Sequence, residues 1–231
     1  CLYAGIIAVP AYHNLSLRRI SRLQAILEDS EAKFCLTTPA IMARIESMKV
    51  DELSLKELKW VITADIKDDT VSTFEDTIIA KETTAYLQYT SGSTSKPKGV
   101  IINHANVLHN LEMIYKHFGY HPDSLGVSWL PHYHDMGLVG TILLPIYGNV
   151  PFMLMSPIDF LQKPFRWLKV ISDYKATASG GPNFAFDLCV EKVTPEQRGT
   201  LDLSSWECAW NGAEPIRPGT INRFYDTFKD S

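Results

Sequence analysis

The sequence predicts an α/β fold in which mainly parallel sheets are flanked by helices. Strand-like and helix-like patterns alternate along all 231 residues. Short apolar runs are separated by helical patterns of roughly 10 to 15 residues, the spacing of βαβ units. Apolar residues make up 45% of the chain, enough to build a sizeable core at this length. Because parallel sheets bind ligands at the carboxyl ends of their strands, we expect functional residues in the loops that follow strands.

The first part of the chain opens with an apolar run at residues 2–10 that predicts a buried strand. Leucines and isoleucines at three- and four-residue spacing over residues 17–27 then predict an amphipathic helix. Strands are predicted at residues 33–37 and 58–63. Between them, Thr38 is a capping residue and Pro39 the first position of a short helix.

From residue 84 onward the same alternation continues to the end of the chain. Strands are predicted at residues 84–90, 99–103, 127–130, 152–155, 175–179 and 207–210. Helices are predicted at residues 105–118, from about 138, from Pro164, at 183–193 and at 217–228. No internal repeat interrupts this order.

Charge and cysteine usage exclude several classes of protein. The formal net charge is −4 and the sequence has no basic block, so no nucleic-acid partner is expected. The four cysteines are widely scattered, which predicts neither a zinc site nor a disulfide framework and favours reduced thiols in a cytoplasmic protein.

The 23 residues from Met136 to Ile158 contain no charged side chain, a length that could span a membrane. This stretch is interrupted by Pro145, Gly148, Asn149, Pro151 and Pro157. Such breakers favour a helix, a turn and a short strand inside a protein core, so we predict no membrane span.

The strongest motif is YTSGSTSKPKG at residues 89–99, which directly follows a predicted strand. It combines hydroxyls, glycines and lysines, the groups that bind a polyphosphate through backbone N–H, O–H and cationic contacts. A flexible surface turn is the alternative, although strands on both sides argue against it. No GK[ST] opens a helix here, which disfavours a P-loop NTPase. The candidate phosphate-binding residues are Thr90, Ser91, Gly92, Ser93, Thr94 and Lys98.

This motif resembles the phosphate-binding signature [ST]-[ST]-G-[ST]-T-G-x-P-K-G of adenylate-forming enzymes. Ser95 stands where glycine is usual, a departure similar to one branch of that superfamily, the fatty acyl-AMP ligases. A second motif, WLPHYHDMGLVG at residues 129–140, is similar to the WLPxYHDMGL motif of the same branch.

Two readings of the second motif follow from its residues. Its H-x-H-D cluster could hold a metal, but the metallohydrolase pattern H-x-H-x-D-H is not met, and we predict no metal ligand in this chain. A single imidazole in such a loop could also be a capping or core hydrogen-bond partner. The resemblance instead implies that His134 lies beside the substrate carboxylate and the adenylate phosphate as the catalytic residue. It also implies that Asp135, Met136 and Gly137 contact the substrate, with the uncharged helix beyond them lining an acyl tunnel.

Two further motifs complete the resemblance. SGGPNFAFDLC at residues 179–189 is similar to the family's SGGPNFAYDLC, which implies substrate contacts by Gly180, Gly181, Pro182, Asn183 and Phe184. Core packing is an equally good reading of Phe184 and Phe186. WNGAEP at residues 210–215 resembles the loop whose backbone lies against adenine, which makes Asn211, Gly212, Ala213, Glu214 and Pro215 nucleotide-binding candidates.

The resemblance implies that the protein activates a fatty acid with ATP and Mg²⁺, releases pyrophosphate and passes the acyl group to an acyl carrier protein. The chain is expected to be the central part of the large N-terminal AMP-binding domain over residues 1–231. The start of that domain, the magnesium-ligand glutamate, the ribose-binding aspartate and the small domain with the catalytic lysine are expected outside it. The piece alone is therefore expected to be inactive. A fatty acyl-CoA ligase, an amino-acid-activating domain and a catalytically dead nucleotide- or lipid-binding relative are the alternatives.

Overall fold

The computed structural model describes residues 1–12, 17–47, 58–67, 74–75, 77–90 and 97–231, apart from the side chains of residues 17–19. The chain forms two compact units, Cys1–Val107 and Leu108–Ser231. The predicted α/β class is confirmed, since helices and strands alternate and two of the three sheets are parallel.

The first unit contains the predicted amphipathic helix and a small parallel sheet. Helix α1 (Leu17–Ser30) leads to β1 (Phe34–Thr37), α2 (Pro39–Ser47) and β2 (Lys59–Ile62). Strands β1 and β2 pair in parallel from Phe34↔Lys59 to Thr37↔Ile62. The predicted cap of α2 is present, because the Thr38 hydroxyl accepts from the Ile41 N–H at 3.4 Å.

A second pair of strands follows in this unit, β3 (Thr84–Thr90) and β4 (Lys98–Asn103). Both strands match the sequence prediction, but they run antiparallel, with Thr90 opposite Lys98. The seven intervening residues are too few for a parallel crossover, which needs a dozen or more. The described residues of the motif, Tyr89, Thr90, Lys98 and Gly99, therefore belong to the paired strands of a β-hairpin.

The apolar run at residues 2–10 is not a buried strand, and this prediction was wrong. It forms one 3₁₀ turn, Leu2–Ala4, followed by Gly5 in the left-handed conformation at φ 64°. The run pairs with β3 through one isolated parallel bridge, between Ala8 and Tyr86. Tyr3 and Ile6 are 78% and 60% exposed. The left-handed Gly5 turns the backbone, so alternate side chains cannot face one sheet.

The second unit is built on a four-stranded parallel sheet in the order β6-β5-β7-β8. Its strands are β5 (Gly126–Ser128), β6 (Phe152–Leu154), β7 (Ala178–Gly181) and β8 (Cys208–Asn211). Strand β5 is central and pairs with both β6 and β7. The two inner strands, β5 and β7, are buried, and the sheet has the parallel architecture that the alternating pattern predicts.

Helices connect these strands. They are α3 (His104–His117, which enters this unit at Leu108), α4 (Asp135–Leu138), α5 (Leu144–Gly148), α6 (Pro157–Gln162), α7 (Phe165–Tyr174), α8 (Asn183–Lys192), α9 (Pro195–Arg198) and α10 (Pro218–Phe228). Helices α6 and α9 were not predicted. Between α4 and α5 lies a π-helical turn, Val139–Leu143. In the described ranges, no helix is both long and apolar enough to cross a membrane.

An aromatic cluster forms the core beneath the sheet. Trp129 stacks on Phe160 at a ring separation of 4.0 Å, and Trp167 meets both rings edge-on. The indole N–H of Trp167 donates to Ser179 Oγ at 2.8 Å, and that hydroxyl donates to the Val127 carbonyl at 2.6 Å. These bonds join α7 to β7 and β5 and leave neither the indole N–H nor the buried hydroxyl without a partner.

Candidate functional site

The second, third and fourth motifs follow three neighbouring parallel strands. Strand β7 pairs with β5 through Gly126↔Ala178 and with β8 through Gly180↔Trp210. The carboxyl ends of parallel strands meet at one edge of the sheet. The loops after β5, β7 and β8 therefore leave the sheet at the same edge, where the sequence predicted a binding site.

The loop after β5 folds back tightly on itself before α4 begins. Trp129 is buried, and a Cβ atom at Gly137 would lie 2.1 Å from the Pro131 carbonyl oxygen. Glycine at residue 137 is therefore a steric requirement of the turn. His134 is the N-cap of α4, and its backbone carbonyl accepts from the Leu138 N–H at 2.7 Å.

His134 and Asp135 form a close pair at the start of α4. His134 Nδ1 lies 2.6 Å from Asp135 Oδ1 and 3.3 Å from the Met136 nitrogen. The Met136 N–H is nearer to Asp135 Oδ1, at 2.7 Å. The Met136 N–H therefore donates mainly to Asp135 Oδ1 and more weakly to His134 Nδ1, which acts as an acceptor. Nε2 is then the ring nitrogen left to meet a ligand, and both side chains are about half exposed.

The paired glycines, Gly180 and Gly181, lie inside β7 (Ala178–Gly181). The predicted strand at residues 175–179 ended before them. A Cβ atom at Gly180 would lie 2.0 Å from the Trp210 carbonyl oxygen, and one at Gly181 would lie 2.7 Å from Trp129 Cζ2. The close approach that these glycines permit is thus made by two tryptophans. Contact of Gly180 and Gly181 with a substrate stays a prediction.

Phe184 and Phe186 were each expected to be either an apolar wall of the substrate site or part of the core. The structure separates the two residues. Phe186 is 1% exposed and belongs to the aromatic core, whereas Phe184 is 46% exposed. Phe184 stands edge-on against Trp129 at 5.9 Å. Phe184 is therefore available as an apolar wall, and Pro182, just before α8, is partly buried beside it.

The fourth motif is tied to the third by Asn183. The Asn183 side chain is fully buried and hydrogen-bonds to Asn211, to Pro215 and to Arg217. Within this segment, Ala213 has a positive φ of 67° and Glu214 pairs with Arg217 at 3.2 Å. Sequence reasoning missed Arg217, whose signal, a base three residues after Glu214, is weak by itself.

Contacts also join the second motif to the other two. A Cβ atom at Gly212 would lie 3.2 Å from the Met136 methyl group, and Trp129 touches both Gly181 and Phe184. The structure therefore brings the three motifs of the second unit into one cluster. In the described residues, no three His, Cys, Asp or Glu side chains come together as a metal site.

The phosphate-loop candidates belong to the first unit. Thr90 and Lys98 are exposed and lie opposite each other where the β3–β4 hairpin opens. Ser91, Gly92, Ser93 and Thr94 lie outside the described residues.

A contact that the sequence did not predict supports this hairpin. The Tyr89 hydroxyl donates to Asp29 Oδ2 at 2.5 Å, and the Tyr89 ring covers Gly99, where a Cβ atom would lie 2.9 Å from the ring. Burial, followed by the bond to Asp29, raises the pKa of Tyr89 to about 12. Asp29 precedes Tyr89 by 60 residues, so no local pattern could have paired them.

Comparison with known families decides the identity of this arrangement. The model of the AMP-binding enzyme family matches residues 1–231. The chain belongs to that family. The match covers the hairpin of the first unit as well as the three strand-end motifs of the second.

Several named relatives resemble the chain closely. A medium-chain-fatty-acid–[acyl-carrier-protein] ligase of Moorena producens is 44% identical over 99% of the chain and 39% of its own length. A ligase of the same description from Teredinibacter turnerae is 53% identical over 62% of the chain and 22% of its own length. The crystal structure of a Legionella pneumophila fatty acyl-adenylate ligase, with acyl adenylate and pyrophosphate, superposes with a TM-score of 0.88 at 43% identity. It covers the whole chain and 40% of that protein.

The chain thus spans about two fifths of the length of these relatives.

Proposed function

We propose that the complete protein containing this chain converts a fatty acid and ATP to an acyl adenylate and pyrophosphate. The observation that carries this proposal is the contact of the His134 loop, the end of β7 and the 211–217 segment at one edge of a parallel sheet. Resemblance to fatty-acid ligases over the whole chain supports the choice of substrate. We further propose that residues 1–231 are the central part of the AMP-binding domain and that the protein is cytoplasmic, in line with four unpaired cysteines.

In the proposed reaction, a carboxylate oxygen of the fatty acid attacks the α-phosphorus of ATP. The bond from that phosphorus to the bridging oxygen breaks, and pyrophosphate leaves with the electron pair. His134, which caps α4 beside Asp135, presents Nε2 to the carboxylate or to an α-phosphate oxygen and so orients the reacting groups. The backbone of Asn211 to Pro215 lies against adenine, and Met136 begins the apolar wall for the alkyl chain.

Thr90 and Lys98, with Ser91, Gly92, Ser93 and Thr94, are proposed to bind the phosphates that become pyrophosphate. Mg²⁺ is proposed to accompany ATP. The described residues bring no set of three carboxylate, imidazole or thiolate groups together, and no step here is assigned to the ion. Its protein ligand, and the catalytic lysine, are proposed to lie outside this chain, which by itself would be inactive.

The test is pyrophosphate exchange by the complete protein, with dodecanoate compared against a pool of amino acids. Exchange with dodecanoate alone is expected, and exchange with amino acids alone would contradict fatty-acid activation. We expect His134→Ala to reduce exchange about 100-fold, and the matched control His132→Ala, an exposed residue of the same loop, to change it less than about twofold.

The acceptor is tested separately. Complete protein charged with labelled dodecanoate is incubated with a holo acyl carrier protein or with coenzyme A. We propose transfer to the carrier protein. Transfer to coenzyme A alone would favour the acyl-CoA ligase alternative, and pyrophosphate exchange is unaffected by either result.

A further inference from the structure

Asn183 is a fully buried polar side chain whose hydrogen bonds all go to one segment. Its Nδ2 donates to the Pro215 carbonyl at 2.9 Å. Its Oδ1 accepts from the Arg217 backbone N–H at 3.0 Å and from Asn211 Nδ2 at 3.0 Å. One side chain at the start of α8 therefore binds three points in the segment 211–217.

The orientation of this amide is fixed by its backbone partners. A backbone carbonyl can only accept and a backbone N–H can only donate, so nitrogen must face Pro215 and oxygen must face Arg217. Asparagine supplies a donor and an acceptor in one plane. An aliphatic side chain of similar size would leave the Pro215 carbonyl and the Arg217 N–H without this partner.

The segment that Asn183 holds contains a strained residue. Ala213 has φ 67°, a left-handed conformation that costs an L-residue free energy unless its surroundings enforce it. The contacts of Asn183 lie on both sides of Ala213, at Asn211 and at Pro215. They confine the backbone on each side of the strained position.

Burial limits what Asn183 can do itself. It is 0% exposed and its amide is occupied by the protein, although the sequence resemblance placed it among the substrate contacts. We infer that Asn183 is a positioning residue for the nucleotide side of the site: it holds segment 211–217 in the conformation that receives adenine. This inference rests on the proposed function.

The test measures KM for ATP and for dodecanoate in the complete Asn183→Ala protein, together with the affinity for ATP alone by calorimetry. Loss of the hydrogen bonds should raise KM and Kd for ATP about tenfold and change KM for dodecanoate less than about twofold. A uniform loss of activity, with both KM values unchanged or raised equally, would overturn the inference, because it would indicate a general structural defect.

Thr220→Val is the matched control. Thr220 is 1% exposed, and its hydroxyl bonds to Asp187 and Arg223 and makes no bond to segment 211–217. It should cost stability as Asn183→Ala does, yet leave KM for ATP within about twofold of wild type. An equal ATP defect in both variants would overturn the inference.

Glu214→Gln covers the case in which Asn183→Ala does not fold. It removes the partly exposed ion pair to Arg217. Removing a negative charge near bound ATP would by itself strengthen binding, whereas loosening the segment weakens it. We expect ATP affinity to fall about two- to threefold, and a rise would contradict positioning.

Wild-type protein that binds ATP without exchange would overturn the proposed function and leave the calorimetric test of Asn183 in force, while failure to bind ATP would overturn both.

Discussion

In the second unit, buried side chains connect each of the three strand-end loops to its neighbours. In the first unit, the β3–β4 hairpin that carries the candidate phosphate-binding residues is held by the hydrogen bond from Tyr89 to Asp29. Trp129, Ser179 and Asn183 fix the loops of the second unit from within a parallel sheet and its aromatic core. The hairpin of the first unit belongs to a two-stranded sheet. Substitutions should therefore affect global stability most in the second unit and local geometry most in the first.

The largest effect is expected for Gly180→Ala. The added Cβ would lie 2.0 Å from the Trp210 carbonyl oxygen, so β7 and β8 would have to separate. We expect a loss of at least about 3 kcal/mol in the free energy of unfolding of the complete protein, measured by urea denaturation.

Gly140→Ala is its control, because no atom outside its own helical turn lies within 4 Å of the added Cβ there. It should leave the free energy of unfolding within about 1 kcal/mol of wild type. Equal midpoints for both variants would mean that the glycine of β7 is not sterically required.

Ser179→Ala should have the next largest effect. It removes the acceptor of the Trp167 indole N–H, which then lies unpaired in the core. The expected loss is about 2 kcal/mol in urea denaturation, and exposed Ser204→Ala should lose less than about 0.5 kcal/mol. The double variant Ser179→Ala with Trp167→Phe should lose less free energy of unfolding than the sum of the two single variants. The reason is that Phe has no N–H donor that would be left without a partner. Strict additivity would contradict the proposed coupling.

The effect of Tyr89→Phe on the pH dependence of unfolding tests the first unit. The Tyr89 pKa is raised to about 12 from about 10 in an unfolded chain. The fold thus favours the neutral phenol, so this stabilisation is complete below pH 10 and lost as pH rises towards 12. The free energy of unfolding should fall more between pH 9 and pH 11 in wild type than in Tyr89→Phe. Exposed Tyr3→Phe should follow the wild-type curve, and a Tyr89→Phe curve parallel to wild type would disprove the link.

How much the sequence predicts differs between these regions for physical reasons. Strand β3 and helix α2 are encoded locally, by a short run of strand-forming residues and by Thr38-Pro39. The first strand prediction failed because an apolar run does not report whether a partner strand lies beside it. Strand β7 was predicted to end too early because glycine is a poor strand former, yet here Trp129 and Trp210 occupy the space that side chains would need.

The site was predictable as motifs but not as a network. His134 and the segment 211–215 were found from their resemblance. Helix α9 was not predicted, although the capping box of Thr194 with Gln197 is a local signal for it. The bonds of Asn183 join residues 28 to 34 positions apart, and Tyr89 and Asp29 are farther apart still. Such pairs follow from the tertiary fold, which no local window contains.

The smallest effect is expected for Ala213→Gly. This variant tests whether the shape of segment 211–217 depends on Ala213 itself or on the hydrogen bonds of Asn183. Glycine removes the Cβ penalty of about 1 kcal/mol at φ 67°, and its greater freedom in the unfolded chain offsets most of that gain. The free energy of unfolding should stay within about 0.5 kcal/mol of wild type. Because Asn183 holds the segment on both sides of Ala213, KM for ATP should rise less than about twofold. Ala213→Val, with a β-branched side chain in the left-handed region, should lose more than about 1 kcal/mol by the same urea assay. If Ala213→Gly weakened ATP binding as strongly as Asn183→Ala, the residue itself, and not its buried anchor, would set the shape of the loop.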